Sequence, residues 1–317
     1  MSKPSSAPSS TAAFPTLQQH SGMLQAGGHA LDYRWLQPVD PAWQQRPLLV
    51  WLHQGLGSST MWRDFPEQLM LRTGCASLIY SRYGHGQSDA MAEPRPPQFM
   101  DIEGVQVLPQ VLDWLMRSPM LSSMFSSAAR SRAASDTGMP PVILIGHSDG
   151  GTSVLAYLGA RGAQPGQPDR QQSDQRLPNV RGAIVVAPHT EDEAMTWQAI
   201  ARHHAAWSDG VLRGKLARYH RDVDGMFLAW ADVWLKPEMR GWHMRDRLPY
   251  IGVPVLAVQG ENDDHGGPVH VRNIAAMSPS PVQLELLPGC GHDPFREQSA
   301  HMLALCQQFI AQHGGTR

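Results

Sequence analysis

Residues 141–151 constrain the fold of this chain more than any other segment. Five apolar residues lead into Gly-His-Ser-Asp-Gly at 146–150, and apolar residues at helical spacing follow at once. This order predicts a strand, a sharp turn and a helix, with the Ser148 hydroxyl at the apex. Such a turn is strained, and the small residues Gly146, Gly150 and Gly151 suit its flanks. The segment therefore makes Ser148 a candidate nucleophile.

The sequence also offers a base and an acid for Ser148. A serine hydroxyl is a poor nucleophile at neutral pH and needs a base that a third group orients. Asp263 lies three residues after Gly260, where a buried-strand pattern ends, and His292 lies in a Gly-rich loop after an alternating strand. We predict that His292 accepts the Ser148 proton and that Asp263 orients the imidazole.

Alternatives to these partners stay open at this point. Glu261 and Asp264 stand beside the predicted acid, and the acidic residues at 191–193 follow the preceding strand, although they fit the start of a helix better. The predicted base is alternatively an ordinary loop histidine. Cys290 is a conceivable thiol nucleophile, but a buried structural thiol is the more common role.

Negative charge that develops on a substrate oxygen needs two backbone N–H donors. Asp149 supplies one at the start of the helix after Ser148. The Gly-rich loop after the strand at 47–53 supplies the other, with Gly55 as first choice and Leu56 next. A plain strand-to-helix turn is the alternative interpretation of that loop. The Asp149 side chain either caps the helix or repels an anionic substrate.

With these segments the chain resembles the cap-bearing α/β-hydrolases over about residues 22–313. Residues 80–88 are similar to the family's Asp-x-x-Gly-x-Gly-x-Ser loop, although Ser81 or Arg82 stands where the family has Asp. The oxyanion loop also departs, since His53-Gln54 stands where the family often has His-Gly. His-Gln-Gly-Leu-Gly-Ser, followed by Trp-Arg-Asp-Phe-Pro at 62–66, is similar to a bacterial subgroup of hydrolases. The resemblance implies the reaction type and little about the substrate.

Strand and helix patterns alternate along the chain, which favours an α/β fold with a mostly parallel eight-stranded sheet flanked by helices. Strands are predicted near 22–26, 29–37, 47–53, 76–81, 141–146, 182–187, 253–259 and 281–287. Helices are predicted near 59–72, 99–117, 150–161, 268–277 and 297–313. The Gly27-Gly28 pair predicts a hairpin between the first two strands, so the sheet begins with an antiparallel edge.

The domain organisation follows from composition and position. We predict a disordered tail at 1–15, a core formed by 16–190 and 248–317, and a helical cap at 191–247. Residues 118–140 and 162–178 are expected to be surface excursions. The cap is rich in aromatic residues, which either wall an apolar pocket or form the cap's own core. Trp230 and Trp234, at helical spacing, favour packing.

Composition restricts the partners. The 317 residues carry a formal net charge of −2 without a basic stripe, and no apolar stretch is long enough to span a bilayer. Three separated cysteines favour a reducing, cytoplasmic location. We expect a small-molecule substrate, no nucleic-acid or membrane partner and no cofactor; a homodimer is compatible with this composition. No metal is expected, since the adjacent His203 and His204 do not share a helix face.

These features together predict a serine hydrolase that cleaves a small ester or related acyl compound through an acyl-enzyme. Two alternatives share the scaffold: a carbon–carbon hydrolase of ring-cleavage products, and a perhydrolase or cofactor-free oxygenase. A catalytically silent ligand-binding protein is the alternative outside the enzymes. The fold alone does not choose among them.

Overall fold

One eight-stranded sheet organises the computed structural model, which describes residues 17–121, 140–162 and 179–315. The strands are β1 (Leu17–Ala26), β2 (His29–Pro38), β3 (Leu48–Leu52), β4 (Ser77–Tyr80), β5 (Pro141–His147), β6 (Asn179–Val186), β7 (Val255–Gly260) and β8 (Val282–Leu287). Their order is β1-β2-β4-β3-β5-β6-β7-β8, with β2 antiparallel to both β1 and β4 and all other pairs parallel. The predicted α/β fold is confirmed.

The α-helices of the described residues lie on both sides of the sheet and in one long insertion. They are α1 (Phe65–Thr73), α2 (Phe99–Asp101), α3 (Leu108–Arg117), α4 (Asp149–Arg161), α5 (Ala194–Ala205), α6 (Val211–Leu216), α7 (Val223–Leu235), α8 (Val269–Met277), α9 (Pro294–Glu297) and α10 (Ser299–His313). Short 3₁₀ turns occupy Pro41–Gln45, Trp207–Asp209, Pro237–Met239 and Leu248–Tyr250.

The sheet begins with the predicted hairpin. Gly27 and Gly28 have φ of 62° and 81° between the two antiparallel strands. A two-residue turn with positive φ at both positions has a backbone twist that matches the twist of the two strands it joins. Glycine adopts positive φ without a steric penalty from a Cβ atom. β1 starts earlier than predicted, because pairing with β2 holds its first residues in an extended form. Those residues, such as Gln18 and Gln19, are exposed and polar, so they show no strand pattern in the sequence.

Alternate side chains of the central strands separate the core into two layers. Leu49 and Trp51 of β3 pack with α1 and α10, whereas Leu48, Val50 and Leu52 pack on the opposite face with α3, α4 and α8. Successive strand residues point to opposite faces, so a strand buried on both sides is apolar throughout. Each fully buried side chain of this kind contributes about 1.5–3 kcal/mol to folding.

Two predicted helices differ in the structure. The helix predicted at 59–72 begins at Phe65, because the residues before it form turns in which Arg63 takes a φ of 55°. The helix predicted at 99–117 divides into α2, a π-helical stretch over Ile102–Val107, and α3. Pro109 has no N–H for the regular helical ladder at this junction. A Cβ on Gly104 would lie 2.2 Å from the Ser153 carbonyl, so glycine lets this stretch approach α4.

A carboxylate from β2 links the loops that follow β3 and β4. The Oδ2 atom of Asp32 accepts hydrogen bonds from the Ser59 hydroxyl at 2.6 Å and the Ser81 hydroxyl at 3.1 Å. Its Oδ1 atom accepts the Gln87 N–H at 2.6 Å. The sequence of the loop after β4 has no aspartate at its first position. In the structure the Asp32 carboxylate of the neighbouring strand β2 bonds this loop instead.

Residues 191–247, here called the insertion segment, carry α5, α6 and α7. Their buried side chains form an apolar cluster that includes Trp230 and Trp234 and takes in Phe99 and Met100 of α2. Both tryptophans therefore pack within the segment's own core.

Part of the sequence interpretation falls outside the described residues. The tail at 1–15 lies there, as do most of the two excursions at 118–140 and 162–178. Among the helices that the structure describes, none is long and apolar enough to cross a membrane.

Asp32→Ala should lower the free energy of unfolding by about 2 kcal/mol, because several hydrogen bonds to one charged acceptor are lost. Urea denaturation measures this change. Asp113→Ala is the matched control, since Asp113 is half-exposed and pairs with Arg117 on the surface of α3; it should cost about 0.5 kcal/mol or less. Equal effects of the two substitutions would contradict the structural role of Asp32.

Candidate active site

The Ser148 turn has the geometry that its sequence predicts. Ser148 joins β5 to α4 with φ 53° and ψ −123°, a strained conformation for a residue with a side chain. A Cβ on Gly150 would lie 2.2 Å from the Leu52 carbonyl, and one on Gly146 would lie 2.5 Å from the Gly150 carbonyl. Gly151 is less restricted, with 3.2 Å to its nearest neighbour. Glycine at 146 and 150 is therefore a steric requirement.

The structure brings the three predicted side chains together. His292 Nε2 lies 3.0 Å from the Ser148 hydroxyl oxygen, and His292 Nδ1 lies 2.8 Å from Asp263 Oδ2. Asp263 is buried and accepts further hydrogen bonds from the Gln259 amide at 2.6 Å and the His265 N–H at 2.8 Å. These bonds fix the carboxylate, and the carboxylate fixes the imidazole with its other nitrogen toward Ser148.

The pKa values of this pair shift in the directions expected of an ionised carboxylate that stabilises a protonated imidazole. Burial alone would raise the pKa of Asp263, but the hydrogen bond and charge of His292 outweigh it and lower this pKa to about 2. Burial would lower the pKa of His292, but the hydrogen bond and charge of Asp263 raise it above the ordinary 6.5. Asp263 therefore stays ionised and stabilises the protonated imidazole.

The alternative acids and the alternative nucleophile have other environments. Asp264 bonds the His265 ring at 2.7 Å, and Glu193 bonds the Gly267 N–H at 2.7 Å, so neither orients His292. Cys290 is fully buried, and that burial raises the pKa of its thiol to about 11. A thiolate is the reactive form, so Cys290 is unsuited to act as a nucleophile.

The loop after β3, which carries the predicted backbone donors, starts against the helix that follows Ser148, since a Cβ on Gly150 would lie 2.6 Å from the His53 carbonyl. The Gln54 carbonyl accepts hydrogen bonds from the His53 ring at 2.7 Å and from the Arg82 guanidinium at 3.0 Å. The Arg82 N–H donates to the other ring nitrogen of His53 at 3.0 Å, which leaves the His53 proton on Nδ1. These bonds fix the peptide that carries the Gly55 N–H. Leu56, the second choice, follows in the same loop.

The Asp149 side chain is buried within a group of charges. Its Oδ2 atom has no hydrogen-bond partner among the described residues. Burial raises the pKa of this carboxyl, and the positive charges of Arg82 and Arg95 oppose that shift. The Asp149 backbone N–H remains at the start of α4, where a developing negative charge is stabilised.

His189 also lies beside Ser148, although the sequence analysis did not single it out. Its Nε2 atom lies 3.5 Å from the Ser148 hydroxyl oxygen, and its backbone N–H donates to the Thr152 hydroxyl at 2.8 Å. Burial holds the pKa of His189 well below its ordinary value. The signal that points to it is its place just after β6, since ligands in such sheets bind beyond the carboxyl ends of the strands.

Two tryptophans of the insertion segment contact the loop after β3 and His189. A Cβ on Gly55 would lie 2.1 Å from Trp230 Nε1, and Trp234 makes an edge contact with His189 at a centroid distance of 5.0 Å. Ser148 is only 5% exposed. Ser148 is thus largely shielded from solvent, and the two tryptophans contact its neighbours.

Histidines also cluster beside the triad. His203 Nε2 lies 3.2 Å from His265 Nε2, whereas His204 pairs with Asp232 at 3.2 Å, so the two adjacent histidines have different partners. The ligand atoms of Asp263, His265 and His292 lie within 4.8 Å of one another. Two of those three residues already bond each other in the Ser148 site.

Known structures share this architecture. Carboxylesterase CesB from Bacillus subtilis superposes with a TM-score of 0.60 at 18% identity, over 92% of both chains. The esterase RhEst1 from Rhodococcus sp. gives 0.57 at 18% identity, over 94% of this chain and all of that one. CarC, a serine hydrolase involved in carbazole degradation, gives 0.62 at 14% identity, over 93% of this chain and all of that one. At such identities the likeness establishes the fold.

Sequence comparison supplies the family. No curated protein matches this chain significantly. The profile of the Alpha/beta hydrolase family matches residues 49–304, which include the oxyanion loop, the Ser148 turn and the loops of Asp263 and His292. Since the match covers most of the chain and the sheet has the same architecture as the solved hydrolases, the chain belongs to the alpha/beta hydrolase family.

Proposed function

We propose that this protein is a serine hydrolase that cleaves small esters or related acyl compounds through an acyl-enzyme on Ser148. The observation that carries the proposal is the continuous line of hydrogen bonds from Asp263 to His292 to Ser148, with distances of 2.8 and 3.0 Å. A nucleophile within reach of a base, and a base oriented by a third group, is the arrangement that activates a serine hydroxyl.

The reaction proceeds in two halves. His292 takes the Ser148 proton as the hydroxyl oxygen attacks the substrate carbonyl, and it then returns the proton to the leaving alcohol. The Gly55 and Asp149 N–H groups bind the negative oxygen of the tetrahedral intermediate. Water, deprotonated by His292, attacks the acyl-enzyme in the second half and releases the acid and free Ser148.

The insertion segment acts as a cap in this proposal. Trp230 and Trp234 lie against Gly55 and His189, so they limit the space above the nucleophile. That restriction favours a small acyl group. Two of the structurally similar proteins are described as a carboxylesterase and an esterase, which supports ester hydrolysis as the chemistry to test first.

Ser148→Ala should lose hydrolysis of aryl esters by on the order of 10³-fold or more in kcat, because no covalent intermediate forms. A fluorophosphonate probe should add to the wild-type chain, as intact mass spectrometry shows, and not to this variant. Ser153→Ala is the control, since the Ser153 hydroxyl in the same helix donates to the Asp149 carbonyl and has no other hydrogen-bond partner among the described residues. Equal labelling of Ser148→Ala and wild type would refute the proposal.

The pH dependence of kcat/KM should report His292. The base acts only when neutral, and its pKa is raised above 6.5, so activity should fall as the pH drops through a midpoint above that value. Asp263→Asn removes the stabilising charge, so this midpoint should shift to lower pH while kcat falls on the order of 10⁴-fold.

Asp264→Asn provides the matched control for that measurement, since Asp264 is the exposed neighbour that bonds His265. This variant should retain most of its activity. An unshifted midpoint in Asp263→Asn, or an equal loss in Asp264→Asn, would show that the acid has been assigned wrongly.

A substrate panel separates ester hydrolysis from the chemistries that share this scaffold. Aryl and short acyl esters form the first arm, and diketones of the ring-cleavage type form the second, because a carbon–carbon hydrolase uses the same triad. Turnover that requires peroxide or oxygen would indicate a perhydrolase or an oxygenase. Absence of labelling at Ser148, together with no turnover in any arm, would favour a catalytically silent binding protein.

A further inference from the structure

Three consecutive carbonyl groups of the loop after β3 each face a buried histidine. The pairs are Gln54 O with His53 Nδ1 at 2.7 Å, Gly55 O with His85 Nε2 at 2.9 Å, and Leu56 O with His220 Nε2 at 3.2 Å. Two of these histidines belong to the loops after β3 and β4. His220 differs, because it lies between α6 and α7 in the insertion segment.

The partners of His220 determine which of its nitrogens carries the proton. The Gly86 N–H donates to Nδ1 at 2.9 Å, so Nδ1 is unprotonated and the proton of the neutral ring is on Nε2. Burial lowers the pKa of His220, which favours this neutral form. Nε2 therefore donates to the Leu56 carbonyl. The Arg221 N–H adds a second link to the core by donating to the Gly86 carbonyl at 2.9 Å.

The bond from His220 continues through the loop to the candidate oxyanion donor. The Leu56 carbonyl and the Gly57 N–H belong to one peptide group, and that N–H donates to the Gln54 carbonyl at 2.9 Å. The Gln54 carbonyl in turn belongs to the same peptide group as the Gly55 N–H. Hydrogen bonds in such a chain polarise one another, by roughly 10–30% per bond. A donor at Leu56 thus strengthens the donor at Gly55.

We propose that His220 is a positioning residue for the oxyanion hole, through which the insertion segment sets the orientation and the donor strength of the Gly55 N–H. The inference rests on the proposed hydrolase function. The insertion segment then has a second role beside shielding the site. The hydrogen-bond chain from His220 to the Gly55 peptide forms only while this segment is packed against the loop after β3.

The loop after β3 is tightly packed, so a change in the His220 bond is passed on to the Gly55 peptide. A Cβ on Gly57 would lie 2.7 Å from the Gln54 side-chain oxygen and 2.8 Å from His53 Cβ, so the loop has little freedom to relax when one bond is lost. The Gln54 carbonyl also accepts the Arg82 guanidinium at 3.0 Å, a charge-assisted bond that polarises the same peptide. The His220 bond acts on a peptide that is already tightly constrained.

Two isosteric substitutions separate the two bonds of His220. His220→Gln places an amide nitrogen near Nε2 and keeps a donor for the Leu56 carbonyl. His220→Asn places an amide oxygen near Nδ1, keeps the acceptor for the Gly86 N–H and loses the donor. We expect kcat for an aryl ester to fall about 10- to 100-fold in His220→Asn, part of the loss seen when a whole oxyanion donor is removed. KM should change little, and His220→Gln should stay close to wild type.

Affinity for a trifluoromethyl ketone and the amide proton shift of Gly55 provide readouts that a purely structural role would not move. The ketone forms an oxyanion adduct with serine, so its affinity should weaken in parallel with kcat in His220→Asn alone. The Gly55 amide proton should shift upfield in the same variant, because its peptide is less polarised, and this NMR measurement needs no turnover. His204→Ala, which breaks a surface pair with Asp232 in the same segment, is the control.

Each outcome decides the inference. A selective loss in His220→Asn, with wild-type thermal stability, supports it. Wild-type kcat and an unmoved Gly55 amide in His220→Asn overturn it, as does an equal loss in both variants accompanied by a lower Tm. If the wild-type protein neither labels at Ser148 nor turns over esters, the proposed function fails on its own, and the Gly55 amide shift still decides whether His220 acts on the loop.

Discussion

The close approach of the start of α4 to the end of β3 is the constraint on which the site depends. Gly150 lies so near the Leu52 carbonyl that a methyl group has no room there. This contact holds the strained Ser148 turn against the end of β3, from which the loop with the proposed Gly55 donor starts. A rigid backbone frame of this kind needs no rearrangement as charge develops, which is the main advantage of a preorganised site.

Several charged and polar side chains are buried around this frame. Arg82 is fully buried, and its Nε and Nη1 atoms have no hydrogen-bond partner among the described residues. Burial lowers the pKa of Arg95 to about 10, and Glu103 accepts the Tyr80 hydroxyl at 2.6 Å. Buried unpaired polar atoms reduce stability, and folded proteins retain such costs mainly where function requires them. Arg82 and Arg95 act on the carboxyl of Asp149, the residue after Ser148, so this buried polar group adjoins the candidate active site.

Local sequence patterns predict the elements of this fold better than the contacts between distant loops. The Ser148 turn, the eight strands and the Gly27-Gly28 hairpin each depend on residues a few positions apart, so periodicity and turn chemistry were sufficient. The positions of Asp263 and His292 followed from the order of strand ends.

Asp32 and His220 could not be found in the same way. Asp32 lies in an ordinary strand pattern, and its role appears only when β2 and β4 pair. His220 bonds a residue 164 positions away, which no local pattern encodes. The π-helical stretch at 102–107 likewise results from the approach of Gly104 to α4, a tertiary contact that overrides helical propensity.

Two histidines lie within reach of Ser148, and their environments decide which one acts as the base. His292 has a carboxylate on its far nitrogen, so it gains stability when it takes the proton, and its pKa is raised. The far nitrogen of His189 has no partner among the described residues, and burial lowers its pKa. A proton on His189 would be an uncompensated buried charge. In the proposed mechanism His189 therefore stays neutral, and proton transfer passes through His292.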